Sequence, residues 1–237
     1  MTQIGDISET VRRVDEDRWL ASRFAPADVR GDLIALYALN YELARTAEIV
    51  SQPTLGDIRL AWWREAMAEI HEGRTPRAHP VVDALAQSRK LWPRQALEDL
   101  IDARARDLDA TPFENEAAFS AYLDATAGQL MRLALIACGA EMPEAFITQA
   151  ARAWGGLGFV RNRRTSLAGV SRDDEITRAM NAYAQARTHA VPADAFPAIG
   201  YLALTPGYAA TLKTGGAERP LLFRQLELVA ASATGRL

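Results

Sequence analysis

The chain is 237 residues long, 49% hydrophobic and 24% charged, with a formal net charge of −3. That length can bury a large core in one helical domain, and the slight acidity excludes broad nucleic-acid binding through charge. The single cysteine, Cys138, excludes an intramolecular disulfide and fits a reducing compartment.

The N-terminus, MTQIGDISETVRRVDEDRW, is polar and lacks the apolar region of a signal peptide. Over 28–50, Val29, Leu33, Leu36, Tyr37, Asn40, Leu43, Ala44 and Ala47 recur at three- and four-residue steps, which is the period of a helix face. Pro26 stands just before this run, where helices start, and Ser51-Gln52-Pro53 ends it. The next helix is expected over 55–71, stopped by Glu72-Gly73-Arg74-Thr75-Pro76. Further helices are expected over 80–90, 94–108, 114–138, 143–160, 173–190 and 220–234. Trp92-Pro93, Thr111-Pro112, Gly139, Met142-Pro143, Val191-Pro192 and Gly215-Gly216 separate them. Within 192–216, Phe196, Ile199, Tyr201, Leu202 and Leu204 need burial, which predicts two short helices with turns. Strand signals are weak, because β-branched residues are sparse and no run alternates for long. The longest apolar-leaning run, 128–140, contains Gln129 and Arg132 and is too short to span a bilayer. With no repeat, low-complexity tract or linker, 1–237 reads as one all-α domain.

Several segments follow one another in a recognisable order. They are Arg23-Phe24-Ala25-Pro26, ALYALNYELARTAEIVSQP, IRLAWWREAM, His79-Pro80-Val81-Val82, DLIDARARDLD, AYLDATAGQLMRL, ARAWGGLGFVRN and the terminal RQLELVAASATGRL. In this order and spacing the chain resembles the squalene/phytoene synthases, in particular the divergent branch that includes mitochondrial complex I assembly factors. The resemblance implies the isoprenoid-synthase fold, a helical bundle around a deep central pocket. It also implies chemistry on two prenyl diphosphates. These sit on Mg²⁺ ions held by two aspartate-rich motifs on facing helices, because a diphosphate leaving group needs neutralisation and Mg²⁺ takes oxygen ligands. Carboxylates spaced i, i+4 share one helix face and can share a metal.

The resemblance places the first motif, D-x-x-x-D, on Ala44-Arg45-Thr46-Ala47-Glu48. A shift of one turn would bring Glu42 into it. The second motif, D-x-x-E-D, follows Arg161 and falls on Asn162-Arg163-Arg164-Thr165-Ser166. No Asp or Glu stands anywhere between Glu144 and Asp173, whatever the alignment. The family's Tyr-Leu-Pro segment and part of its following helix are missing between Leu167 and Asp173.

Candidates for the pocket and for anion binding are therefore Tyr37, Tyr41, Ala44, Glu48, Asp102, Asp107, Gly158, Arg161, Asn162 and Arg164. Each has a plainer reading. Glu48 fits a helix end in solvent as well as it fits the pocket. Asp102, Arg106, Asp107 and Asp109 fit a solvated face with Asp102 paired to Arg106 at i, i+4. Arg161, Arg163 and Arg164 suit a phosphate, but basic residues also favour a helix C-terminus. Trp62, Trp63, Trp154 and Phe159 are expected mostly in the core, and Cys138 is expected to pack as a small apolar residue. Gly155, Gly156 and Gly158 lie on a helix with no preceding strand, so they are no dinucleotide fingerprint. His71, His79 and His189 show no metal-ligand spacing, and Ser166 and Ser171 lie near no triad signature.

The leading expectation is a non-catalytic member that binds a lipid or isoprenoid, or serves in assembly with a protein partner. Such a member takes no cofactor and no nucleic acid. It would be cytoplasmic, with at most a peripheral contact at the inner face of a membrane. The alternative is a Mg²⁺-dependent prenyltransferase making a carotenoid or hopanoid precursor. A metal-independent enzyme acting on a phosphorylated lipid is a third reading. Fold alone does not choose among them. If the pocket persists, Glu48 and Arg161 should meet across it.

Overall fold

The computed structural model describes residues 2–90, 92–162, 164, 166–216 and 219–237, with side chains from Ile7 onward. Among them the helices run α1 Thr2–Val14, α2 Glu16–Ser22, α3 Ala27–Ala44, α4 Thr46–Ile49, α5 Pro53–His71, α6 Pro80–Ala86 and α7 Arg94–Ala103. They continue with α8 Glu116–Leu123, α9 Gln129–Cys138, α10 Glu144–Arg161, α11 Arg172–Ala186, α12 Phe196–Ile199, α13 Thr205–Thr214 and α14 Leu221–Thr234. The only pairing of extended backbone among the described residues is an isolated bridge from Phe113 to Leu167.

Local chemistry sets the ends. Pro53 and Pro80 open α5 and α6, where a missing N–H costs nothing. Asn115 and Ser171 accept backbone N–H bonds from Ala118 and Asp174 at the starts of α8 and α11. Gly139 and Gly235 close α9 and α14 at φ 67° and 63°, a left-handed geometry that favours glycine.

Several expected helices begin to break at positions that carry no Gly or Pro stop signal. The run over 28–50 divides at Arg45 into α3 and α4. The helix expected over 94–108 tightens into a 3₁₀ turn at Arg104–Leu108, and 80–90 stops at Ala86. The run over 114–138 is interrupted by a π turn at Asp124–Gly128, a feature frequent at functional sites. Helix 173–190 ends at Ala186. The two N-terminal helices had no counterpart among the expected elements, whereas 192–216 does form short helices, α12 and α13 joined by a 3₁₀ turn.

One apolar cluster runs from Ile7 to Ala231. Leu36, Leu43, Leu60, Trp63, Leu130, Leu133 and Leu157 are all buried within it. Helix α10 lies along α11 and comes so close to α8 that a Cβ on Gly155 would stand 2.8 Å from Leu123 Cδ2. Helix α14 buries Arg224 together with Leu228 and Ala231, while its Leu222, Phe223, Leu226 and Val229 are more than half exposed. No helix among the described residues is long and apolar enough to cross a membrane.

Candidate functional site: two arginine–carboxylate centres

Two polar clusters sit at the C-terminal end of α10, which the sequence marks as the second motif. The first gathers on Asp17 of α2, which is 4% exposed. Arg224 Nη1 of α14 donates to its Oδ1 at 2.8 Å. The Tyr208 hydroxyl of α13 donates to its Oδ2 at 2.6 Å. Arg161, at the end of α10, stands 3.9 Å from the same oxygen, and its guanidinium lies 4.1 Å from the Tyr208 ring centroid. Arg224 also pairs with Glu16.

Burial pushes the Asp17 carboxyl up, and the bonds from Tyr208 and Arg224 only partly offset that. Beside this cluster Arg18 pairs with Asp15 at 2.7 Å and lies over the Tyr201 ring at 4.7 Å. Tyr37 and Trp154 close around the same guanidinium. Burial works against the Arg18 charge, but Asp15 and the surrounding phenols outweigh it and raise its pKa.

The second cluster gathers on Asp107, whose side chain is 3% exposed. Arg104 Nη1 donates at 3.2 Å, Tyr122 Oη at 2.6 Å, and Arg164 Nη1 stands at 2.8 Å. Arg104 reaches on to Asn40 of α3 at 2.8 Å. Phe113, Phe119, Tyr122 and Phe159 wall this cluster with mutually tilted rings. Burial raises the Tyr122 phenol above its ordinary range.

The expected residues thus fall into different places. Tyr37 lies buried beneath Arg18. Tyr41 stacks under Arg45 at 5.3 Å. Ala44 is half-buried at the end of α3. Asp107 and Arg164 meet in the second cluster, and Arg161 joins the first. Asn162 is exposed and closes α10 through its backbone. Gly158 faces open space, with nothing within 4 Å of where a Cβ would be. Arg163 lies outside the described residues. Glu42 accepts from Arg45 and Arg59 at 3.3 and 2.8 Å.

Two expected pairings are replaced. Glu48 does not face Arg161. The break at Arg45 starts a new one-turn helix that leaves Glu48 exposed, and Asp17 is a carboxylate that does stand near Arg161. Glu48→Ala is therefore expected to change stability by about 0.5 kcal/mol or less, the scale of an ordinary surface substitution. A denaturant melt showing a loss of several kcal/mol would contradict this placement. Likewise Asp102 is 56% exposed in its side chain and pairs with Arg64 of α5. Arg106 turns instead to the carbonyls of Asp109 and Thr111 at 2.9 and 2.7 Å. The 3₁₀ turn at Arg104 destroys the i, i+4 register that would have joined Asp102 to Arg106.

Asp17, Arg18, Asn40, Arg104, Tyr122, Tyr208 and Arg224 escaped the sequence reading. For the N-terminal pair a signal existed. The dense run Asp15-Glu16-Asp17-Arg18 directly precedes Trp19-Leu20, and Arg224 interrupts the otherwise apolar Leu221-Leu222-Phe223.

The donor set does not fit a Mg²⁺ cluster. At the first motif the carboxylate is the exposed Glu48. At the second, Ser166 donates its hydroxyl to Glu175. Asp107 and Asp17 are already engaged by arginines. Among the described residues no three His, Cys, Asp or Glu side chains are grouped to hold a metal.

Comparison with known proteins bears on this arrangement. The family model for squalene/phytoene synthases matches residues 11–161. Among curated proteins, NADH dehydrogenase (ubiquinone) complex I, assembly factor 6 from Bos taurus is 31% identical over 129 residues, covering 54% of this chain and 38% of its own. The Homo sapiens protein of the same name is 30% identical over the same length and coverage. The matched region is thus well under half of those relatives. Among solved structures, a dehydrosqualene synthase in complex with ligand aligns with TM-score 0.70 at 13% identity, over 98% of this chain and 95% of that one. Squalene synthase HpnC from Alicyclobacillus acidocaldarius aligns with TM-score 0.62 at 17% identity, over 99% and 94%. At such identities the structural likeness establishes the isoprenoid-synthase fold and nothing finer.

Proposed function

This chain belongs to the squalene/phytoene synthase family, and from that premise we propose that it is a non-catalytic member acting as a lipid- or isoprenoid-binding or assembly protein. One observation carries the reading. The segment that should supply the second set of metal ligands holds no carboxylate from 145 to 172, and its arginines face acids of this same chain. Arg161 lies against Asp17, and Arg164 against Asp107. Two diphosphates bring several negative charges that metal ions normally neutralise. Here Arg161 and Arg164 each already stand beside a buried internal carboxylate, so a diphosphate would have to compete with that carboxylate, which is costly.

The second support is the kind of relative that matches. The curated proteins at 30–31% identity are named as assembly factors, and a role alongside a protein partner is consistent with that name. The partner itself belongs to the proposal.

The test is direct. Incubated with farnesyl or geranylgeranyl diphosphate and Mg²⁺, the protein is expected to give no squalene-, dehydrosqualene- or phytoene-type product above a boiled control. A product that forms with Mg²⁺ and disappears with EDTA would restore the prenyltransferase reading.

A further inference from the structure

The outer face of α14 carries an apolar stripe. Leu221, Leu222, Phe223, Leu226 and Val229 are between 40% and 62% exposed. Among the described residues 221–230 the exposed positions are apolar except Gln225. Apolar side chains scattered singly over a surface need no partner, whereas a contiguous group marks a surface that something covers. The rotation of the helix is fixed from the inside. Arg224 donates to Asp17 at 2.8 Å and pairs with Glu16, and Leu228 and Ala231 are buried with it. Turning the stripe inward would break that centre.

Area and composition bear on what covers the stripe. Five half-exposed side chains offer on the order of 500 Å², short of the roughly 800 Å² per partner in a stable protein complex. A bilayer sets no such minimum, because each side chain that enters the acyl boundary contributes by itself. Apart from Phe223 the stripe is aliphatic, without the Trp, Tyr and Arg that anchor protein interfaces. Leu and Val match acyl chains.

The flanking charge bears on it too. From Lys213 to the last residue, Lys213, Arg219, Arg224 and Arg236 stand against Glu218 and Glu227, in a chain of net charge −3. Arg224 is engaged inward by Asp17 and Glu16, and Arg219 pairs with Glu227. Lys213, before the helix, and Arg236, after it, are exposed and pair with no described carboxylate. Glu218 lies outside the described residues, and set against it one cation is still in excess. Two such faces packed together would oppose their cations, whereas an anionic headgroup layer accepts them.

We infer that α14 docks the protein onto an anionic lipid bilayer. Leu222, Phe223, Leu226 and Val229 enter the acyl boundary, and Lys213 and Arg236 meet the headgroups. At 14 residues α14 is too short to cross the bilayer, so it lies in the plane of the interface. A binding protein and a prenyltransferase can both sit on a membrane, so this contact stands or falls separately from the non-catalytic reading above.

The experiment sediments the full-length chain with extruded vesicles of phosphatidylcholine, alone or mixed equally with phosphatidylglycerol. Binding to the mixed vesicles is expected to be at least about tenfold tighter than to the neutral ones, with the difference shrinking at high salt. Leu226→Glu changes an exposed side chain, so its melt should match that of the parent chain. Its binding is expected to fall at least about tenfold. Should the melt shift, Val229→Ser makes the same test with a smaller change. Lys213→Gln combined with Arg236→Gln is expected to weaken binding to the mixed vesicles and leave binding to the neutral ones unchanged. Phe223→Trp is expected to show fluorescence quenching by lipids brominated on the acyl chain that the parent chain does not show. Absence of binding to the mixed vesicles would overturn the inference and leave the face to a protein. Equal affinity for neutral and mixed vesicles, or undiminished binding by the folded Leu226→Glu and Val229→Ser variants, would overturn it as well. A concentration-dependent dimer in light scattering that Leu226→Glu dissolves would assign the stripe to a second copy of the chain, and overturn it too.

Discussion

Asp17→Ala is expected to remove roughly 3–5 kcal/mol of stability, the cost of breaking one side of a buried ion pair. For a chain of this size that corresponds to a melting temperature lower by about 6–20 °C. The carboxylate is the common partner of Arg224, Tyr208 and Arg161, and it ties α2 to α14, α13 and the end of α10. Its removal leaves Arg224, with an 11% exposed side chain, with Glu16 as its remaining carboxylate partner. Burial costs this carboxyl more than its bonds return, which is why its pKa stands above the ordinary value. The cluster therefore fixes geometry more than it adds stability, and replacing both charges by apolar groups should be far cheaper than removing one. The double variant Asp17→Leu with Arg224→Met is expected to recover more than half of the loss. Denaturant melts of the single and double variants read this directly. If Asp17→Ala costs less than about 1 kcal/mol, the pair behaves as a solvated surface bridge and the centre is not closed.

The fold was legible because helix periodicity and breakers are local. The apolar steps from Val29 to Leu43 and the stops at Pro53, Gly139 and Gly215 lie within a few residues of what they control. The family order of segments then supplied the architecture, which the structural likeness bears out. What stayed hidden depends on partners distant in sequence. Asp17 and Arg224 are 207 positions apart, and Asn40 and Arg104 are 64 apart. No window along the chain joins such pairs. The breaks inside long helical runs escaped for a different reason. At Arg104 and Asp124 bonds to residues farther along the chain accompany the break. Arg104 turns to Asn40 and Asp124 to Arg132. Propensity is a weak prior where such contacts compete with it.

Under the proposed non-catalytic reading, the two centres offer a way for a metal-dependent architecture to do without its metal and keep its shape. In the family pattern, cations bridge two carboxylate-bearing helices. Here guanidinium groups on α10 and just beyond it reach carboxylates on other elements, Asp17 on α2 and Asp107 in the 3₁₀ turn. A guanidinium is planar, permanently charged and able to serve two acceptors. It can therefore hold segments together where an ion would otherwise do so, with no ligand geometry to satisfy.

Asp107→Ala should be the second large loss, again roughly 3–5 kcal/mol, and its neighbours supply a graded series. Asp107 joins the 3₁₀ turn to α8 through Tyr122, to the segment after α10 through Arg164, and through Arg104 to Asn40 on α3. Tyr122→Phe removes one donor and keeps the ring against Phe113 and Phe159, so about 0.5–1.5 kcal/mol is expected. Arg164→Gln affects a side chain that is 38% exposed. Water screens that pair, and about 1 kcal/mol or less is expected. Asp107→Asn keeps the shape and one acceptor but leaves Arg104 and Arg164 without a counter-charge. Its stability should fall between the extremes. It should also gain a property the parent chain lacks, a rise in melting temperature when inorganic pyrophosphate is added, because an external anion can now take the vacated charge. In the parent chain pyrophosphate should leave the melt unchanged, since Asp107 already occupies both arginines. A clear stabilisation of the parent chain by pyrophosphate would mean that these arginines serve an external anion, and the internal neutralisation on which the non-catalytic reading depends would fail.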